Sequence, residues 1–188
     1  MIGRLIWKSF LKISGWKTNI VFPKNINKAI IIVGPHTSAW DFIFGLAYRS
    51  ISNIKHSHFL GKSELFKPPF GWFFKWLGGT PVDRKSKHNI VDQVVEKFNS
   101  NKKFILALAP EGTRKKVYQL KTGFYHIAKS AKVPIVMAGM DFGKKTLIYS
   151  EPFFTSENEE EDFKKIINFF GQIQGKNPEL GLSHLVST

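Results

Sequence analysis

Residues 29–41 read Ala29-Ile30-Ile31-Ile32-Val33-Gly34-Pro35-His36-Thr37-Ser38-Ala39-Trp40-Asp41. The first five form an unbroken apolar, largely β-branched run, the pattern of a buried strand. Gly34-Pro35 ends that strand. A histidine and an aspartate follow, five residues apart, at its mouth. In one continuous helix, residues at that spacing do not share a face, so a turn between them is needed to bring ring and carboxylate together. Such a pair is an imidazole base held by an acid, with no nucleophile of its own nearby in sequence. The same spacing also describes a strand-end loop with a surface histidine, so its meaning depends on the remaining chain.

Working outward, apolar runs at 103–109 and 133–138 predict further buried strands, and 56–60 and 146–149 shorter ones. Between them lie helical patterns at 40–50, 86–99 and 119–131. In the second, Ser86 is placed to cap and Ile90, Val91, Val94, Val95 and Phe98 line one face. Ser156 with Glu159 reads as a capping box opening a last helix. The acidic run 157–162 suits the positive end of that helix and reads as structural. The tail after Gly175 reads as irregular. Strands alternating with helices predict an α/β layered domain with a mostly parallel sheet flanked by helices. No repeat, linker or boundary interrupts the 188 residues, so one domain is expected over 1–188: an N-terminal amphipathic helix at 1–16, a core at 28–150, and a C-terminal helix and tail at 156–188.

Twenty-eight Lys and Arg stand against 14 Asp and Glu, a formal charge of +14, which draws polyanions: nucleic acid, anionic lipid surfaces or phosphorylated substrates. With no cysteine, the chain has no thiol nucleophile and no Cys-ligated metal. Apolar runs of about seven residues fall short of the roughly 20 needed to span a bilayer, and no secretory signal is evident; the expected location is cytoplasmic. In residues 1–16, Arg4, Lys8 and Lys12 form a basic stripe opposite Ile2, Leu5, Ile6, Phe10, Ile13 and Trp16. That pattern fits an interfacial membrane helix or a helix packed on its own domain. His56 and His58 would share a strand face, but no third metal ligand stands near them in sequence. Residues 70–77 are a dense aromatic run, followed by an extended piece that brings out Arg84.

In α/β sheets, sites gather at the carboxyl ends of the strands. His36 follows one strong strand. Pro110-Glu111-Gly112-Thr113-Arg114 follows another, with a glycine that permits an unusual turn between a carboxylate and a guanidinium. Arginine binds phosphate through paired hydrogen bonds. Glu111 would orient Arg114 or accept from a substrate hydroxyl; a Glu–Arg pair merely holding a surface loop has the same sequence.

Four motifs in order, His36-Thr37-Ser38-Ala39-Trp40-Asp41, Gly79-Thr80-Pro81-Val82-Asp83-Arg84, Pro110-Glu111-Gly112-Thr113-Arg114 and Val133-Pro134-Ile135-Val136, resemble those of the glycerolipid acyltransferases, whose best-known members are the 1-acylglycerol-3-phosphate acyltransferases. The chain looks most like the short bacterial members. The resemblance implies that His36 is general base on an acceptor hydroxyl, oriented by Asp41. The hydroxyl then attacks an acyl thioester, of acyl-CoA or acyl carrier protein, without an acyl-enzyme. It implies that Arg84, Glu111, Gly112, Thr113 and Arg114 hold the acceptor's phosphate, and that the segment around Gly61-Lys62 stabilises the oxyanion. It implies no metal and no cofactor beyond the acyl donor. The implied partners are a lipid acceptor, the acyl donor and a peripheral anionic membrane surface, with nucleic acid a less favoured alternative. Pro35, Ala109 and Lys115-Lys116 depart from the lysophosphatidate-type pattern and leave the acceptor open, an amino-lipid included. The family's N-terminal helix pair is reduced to the stretch 1–16, which makes the expected membrane contact peripheral.

Overall fold

The computed structural model describes residues 2–19, 21–23, 25–54, 56–82 and 90–186. In chain order the elements are α1 (Ile2–Ile13), β1 (Lys28–Gly34), α2 (Trp40–Ile51), β2 (Ser57–Lys62), a 3-10 turn (Ser63–Phe66), α3 (Gly71–Trp76), β3 (Gly79–Val82), α4 (Ile90–Ser100), β4 (Phe104–Leu108), α5 (Gly123–Ala131), β5 (Ile135–Asp141), β6 (Thr146–Tyr149) and α6 (Glu159–Gly171). Two short 3-10 turns, Pro178–Leu180 and Ser183–Leu185, follow. The strands form one sheet in the order β3-β2-β4-β1-β5-β6, parallel except for the antiparallel β5–β6 pair at one edge.

Alternate residues of the central strands feed two different cores, as the pleat requires. Ile30, Ile32, Phe104, Leu106, Ile135 and Met137 pack with α4, α5 and α6 on one face. Ala29, Ile31, Ile105, Val136, Ala138 and Met140 pack with α1 and α2 on the other. Burial on both faces explains why these strands are continuous apolar runs rather than alternating ones.

This topology fixes where a site can form. β1 and β4 are parallel neighbours, with Ile32 opposite Leu108. The chain leaving β1 enters α2 on one face, and the chain leaving β4 reaches α5 on the other. The two carboxyl-end loops therefore part above the sheet and leave a crevice, the switch point of an open α/β sheet. On the α6 face the crevice is backed closely. A Cβ built on Gly34 would lie 3.1 Å from the Phe170 ring, so glycine lets α6 close against the end of β1.

Several sequence expectations are corrected. His56 lies before β2, which starts at Ser57. α5 starts at Gly123 rather than 119, because the preceding residues belong to the β4–α5 loop, where the Lys121 N–H bonds to the Pro110 carbonyl (2.8 Å). Ser86 lies outside the described residues, and α4 is described from Ile90. No Ser156–Glu159 capping box forms: α6 is capped by Asn158, whose side chain accepts the Glu161 N–H at 3.2 Å, while Ser156 Oγ accepts the Asn158 N–H. The acidic run is structural as expected. Asp162 is buried and accepts from Tyr125 OH (2.9 Å) and the Ser156 N–H (2.6 Å).

Helix α1 packs inward through its aromatics. Leu11 and the following Trp16 are buried, and Trp16 stacks on Phe44 with ring centres 4.2 Å apart. Leu5, Ile6 and Ile13 remain exposed. Among the described residues, no helix is long and apolar enough to cross a membrane.

Phe170→Ala removes a fully buried ring that both fills the α6-side core and backs Gly34. Urea unfolding is expected to show a loss of about 3–5 kcal/mol. A loss near zero would mean that α6 does not close on β1 as described.

Candidate active site

The β1–α2 loop is organised around one oxygen. Asp41, in the first turn of α2, turns its carboxylate back towards the strand. Its Oδ2 accepts from Thr37 N–H (2.8 Å) and Ser38 N–H (2.9 Å) and lies 3.0 Å from His36 Nδ1. The carboxylate also sits at the positive end of the helix. Asp41 is buried, whereas the His36 side chain keeps 29% of its surface accessible. With the acid at Nδ1, that nitrogen carries the ring proton and Nε2 holds the lone pair. This is the turn that the five-residue spacing demanded.

The parallel register sets the β4 loop beside it, and here one reading changes. Glu111 neither pairs with Arg114 nor stands open to a ligand: it is buried, and its Oε1 accepts the His36 backbone N–H at 2.6 Å. Its Oε2 has no described partner. Burial lifts the Glu111 carboxyl above its ordinary 4.5, opposed by the hydrogen bond from His36 N–H. Gly112 turns the loop with φ +68°, a conformation that disfavours any side chain. Thr113 and Arg114 follow at the surface, and Arg114 makes no hydrogen bond or ion pair with a described residue.

His36, Asp41, Gly112, Thr113 and Arg114 share one cavity of about 690 Å³. It runs from this crevice between α2 and the sheet, over Val33, Ala107, Phe59, Met140 and Leu147. A Cβ on Gly45 of α2 would meet nothing within 4 Å, so glycine leaves this passage open. Tyr48 and Tyr149 lie along it. Burial raises the Tyr48 hydroxyl above its ordinary range and pushes Tyr149 up to about 12, so both stay neutral. Arg49 also borders the cavity; its Nε donates to the Ser57 carbonyl (3.2 Å) and Oγ (3.0 Å), and burial lowers its pKa. Nothing in the sequence marked Arg49 beyond its being a basic residue late in a helix.

A second contributor missed in the sequence is the C-terminal segment. Asn177 Nδ2 donates to the Thr37 carbonyl (2.8 Å), and Asn177 N–H to Thr37 Oγ1 (3.2 Å). A Cβ on Gly175 would lie 2.8 Å from the Thr37 side chain. The stretch that reads as an irregular tail is thus a strap across the residue next to His36.

Two further sequence-predicted positions lie wholly or partly outside the described residues. Arg84 lies outside the described residues. Lys62 closes β2 as a backbone position, pairing with Val82, as Gly61 pairs with Pro81, and the Lys62 side chain lies outside the described residues. His58 stacks on Phe104 (4.9 Å), and among the described residues no group of three or more candidate metal ligands forms.

These features define a class: α/β proteins with a histidine–aspartate pair at the switch point, set at the mouth of an apolar cavity. The chain belongs to the acyltransferase family, whose model, described as Acyltransferase, matches residues 17–141. It is 32% identical over 123 residues, 60% of its length, to a 1-acyl-sn-glycerol-3-phosphate acyltransferase of Haemophilus influenzae, of which it covers 48%. It is 29% identical over 132 residues to the protein of that name from Saccharomyces cerevisiae, covering 65% of this chain and 42% of that one. The chain therefore spans about half the length of the relatives it matches. The crystal structure of the 1-acyl-sn-glycerophosphate acyltransferase PlsC from Thermotoga maritima superposes with a TM-score of 0.56 over 88% of this chain and 76% of that one, at 21% identity, a likeness of fold. The strap residues Gly175 and Asn177 lie beyond the matched family region.

Glu111 makes a pH-dependent contribution to stability with a definite sign. Because its folded pKa is raised, the folded protein holds this proton more tightly than the unfolded chain. The associated stability is full below 4.5 and is lost as pH rises through the folded value. Glu111→Gln cannot ionise, so it is expected to gain on wild type between acid and neutral pH in parallel urea titrations. A stability difference that does not change over that range would refute the raised carboxyl.

Proposed function

We propose that this protein transfers a fatty acyl group from an acyl thioester, acyl-CoA or acyl carrier protein, to a hydroxyl of a lipid acceptor in phospholipid biosynthesis. The names of its relatives favour 1-acylglycerol-3-phosphate as that acceptor. The observation that carries this reading is the His36 Nδ1–Asp41 contact at 3.0 Å opening into the same cavity as Arg114. It joins a base, a cation and an apolar passage, the three parts that an amphiphilic acceptor and a thioester require.

In this scheme His36 Nε2 takes the acceptor's hydroxyl proton as the oxygen attacks the thioester carbonyl. Asp41 steadies the resulting imidazolium. The tetrahedral intermediate collapses by breaking the C–S bond, and the thiolate leaves as a thiol with the proton from His36. The product is an ester, and no acyl-enzyme forms. Arg114, with Gly112, Thr113 and Arg84, binds the acceptor's phosphate, and Arg84 enters on the family motif alone. Glu111 holds the His36 backbone instead of touching the acceptor. Backbone N–H groups near Gly61-Lys62 are assigned to the oxyanion. An acyl chain lies in the cavity under α2, where the neutral Tyr48 and Tyr149 put no charge beside it. Substrates of this kind favour a peripheral location at the cytoplasmic face of a membrane.

His36→Ala is expected to lower turnover roughly 10²–10⁴-fold, the share of a general base, with folding retained. Arg114→Ala is expected to raise KM for a phosphate-bearing acceptor more than it lowers kcat. A mass-spectrometric product assay with a panel of lyso-lipids and both donor types reads both effects. Full activity in His36→Ala, or thioester loss that needs no acceptor, would refute acyl transfer by this route.

A further inference from the structure

The decapeptide 67–76, Lys67-Pro68-Pro69-Phe70-Gly71-Trp72-Phe73-Phe74-Lys75-Trp76, contains five aromatic residues and no acid. Its two sides are unlike. Inward, Phe74 meets Phe66 with ring centres 6.3 Å apart, and the site of a Cβ on Gly79 lies 2.8 Å from both the Phe66 ring and the Phe74 carbonyl. That packing fixes α3 against β3. Outward, Trp72 is 71% exposed, Trp76 73%, Phe70 66% and Phe73 40%. Phe73 stacks on Trp76 and meets Trp72 edge-on, so the outward rings form one cluster.

A folded chain does not expose several contiguous large aromatics without a partner for them. We infer that α3 with its flanking lysines is a membrane-docking surface whose occupant is a lipid bilayer carrying anionic headgroups. Two observations choose that occupant over a protein. The patch comes from one ten-residue segment, far short of the 20–30 residues that a stable protein interface takes from each partner. Within residues 67–76 the charged groups are Lys67 and Lys75, in a chain of formal charge +14, and tryptophan and lysine together are the side chains that settle at the headgroup level. The surface is distinct from α1, whose Trp7 and Phe10 pack against its own core, leaving no exposed aromatic but the aliphatic Leu5, Ile6 and Ile13 and the basic Arg4, Lys8 and Lys12 outward. The inference deepens the lipid-acceptor reading; its test uses neither acyl donor nor acceptor, so either can fail alone.

The test is co-sedimentation of the full chain with vesicles of phosphatidylcholine, with and without phosphatidylglycerol, together with tryptophan emission. Wild type is expected to bind the phosphatidylglycerol vesicles with a blue shift. Trp72→Ser with Trp76→Ser, both at exposed positions, is expected to bind about tenfold or more weakly. Lys67→Glu with Lys75→Glu is expected to lose the preference for phosphatidylglycerol, and Leu5→Ser with Ile13→Ser in α1 to bind like wild type. Wild-type binding by the Trp72/Trp76 double variant, loss of binding only in the α1 variant, or failure of wild type to bind either vesicle would overturn the inference. So would a lipid-free dimer of wild type that the Trp72/Trp76 variant abolishes, because the patch would then be a protein contact.

Discussion

Three donors converge on Asp41 Oδ2, and the local structure above the sheet depends on that convergence. Two are backbone N–H groups of the loop and the third is the His36 ring. The backbone bonds shape the loop that carries the histidine, and the same oxygen then orients the ring the loop presents. A buried carboxylate is costly unless its hydrogen-bonding capacity is filled. Here Oδ2 is filled within five residues of chain, at a helix N-terminus that favours the charge, while Oδ1 is buried without a hydrogen-bond partner. Fold and chemistry therefore share one atom, so replacing Asp41 would disturb both together.

A local turn alone would leave the loop floating. Glu111 anchors it from the neighbouring strand, 75 residues away in sequence. Parallel pairing with Ile32 opposite Leu108 brings His36, four residues past Ile32, beside Glu111, three residues past Leu108, so the two motifs meet because both strands are buried and in register. From the other side Asn177 holds Thr37 across 140 residues. The histidine loop is thus fixed by one carboxylate within its own segment, one from the adjacent strand and one amide from the strap.

What could be read in the sequence follows from how local its physical cause is. β1, β4 and β5 were legible because strands buried on both faces leave unbroken apolar runs. The His36–Asp41 pair was legible because strand, breaker and helix start lie within thirteen residues. Glu111 was singled out but misread: sequence cannot say whether a carboxylate after a strand faces the crevice or turns under its neighbour. The α6 cap slipped by two residues because Ser156 and Asn158 are both competent cap residues, and only the placing of Asp162 against Tyr125 decides between them. The strap left no periodic signal, since it is held by single hydrogen bonds and by the absence of a Cβ at Gly175.

Helix α2 joins the reactive end of the site to its apolar end. Its first turn carries Asp41, and the same helix goes on to roof the cavity through Phe42, Gly45, Tyr48 and Arg49. Any shift of α2 along its axis that widened the cavity would also move Asp41 away from His36 Nδ1. The helix resists such a shift because Phe44 lies against Trp16 and Phe10, and one turn on Tyr48 OH donates to the Lys17 carbonyl at 2.8 Å. This gives the α1 aromatics a purpose that composition alone would assign to lipid: they clamp the helix that holds both the acid and the cavity roof. The two aromatic-rich segments therefore divide the work, with α1 spending its rings on the core and α3 turning its own to the outside.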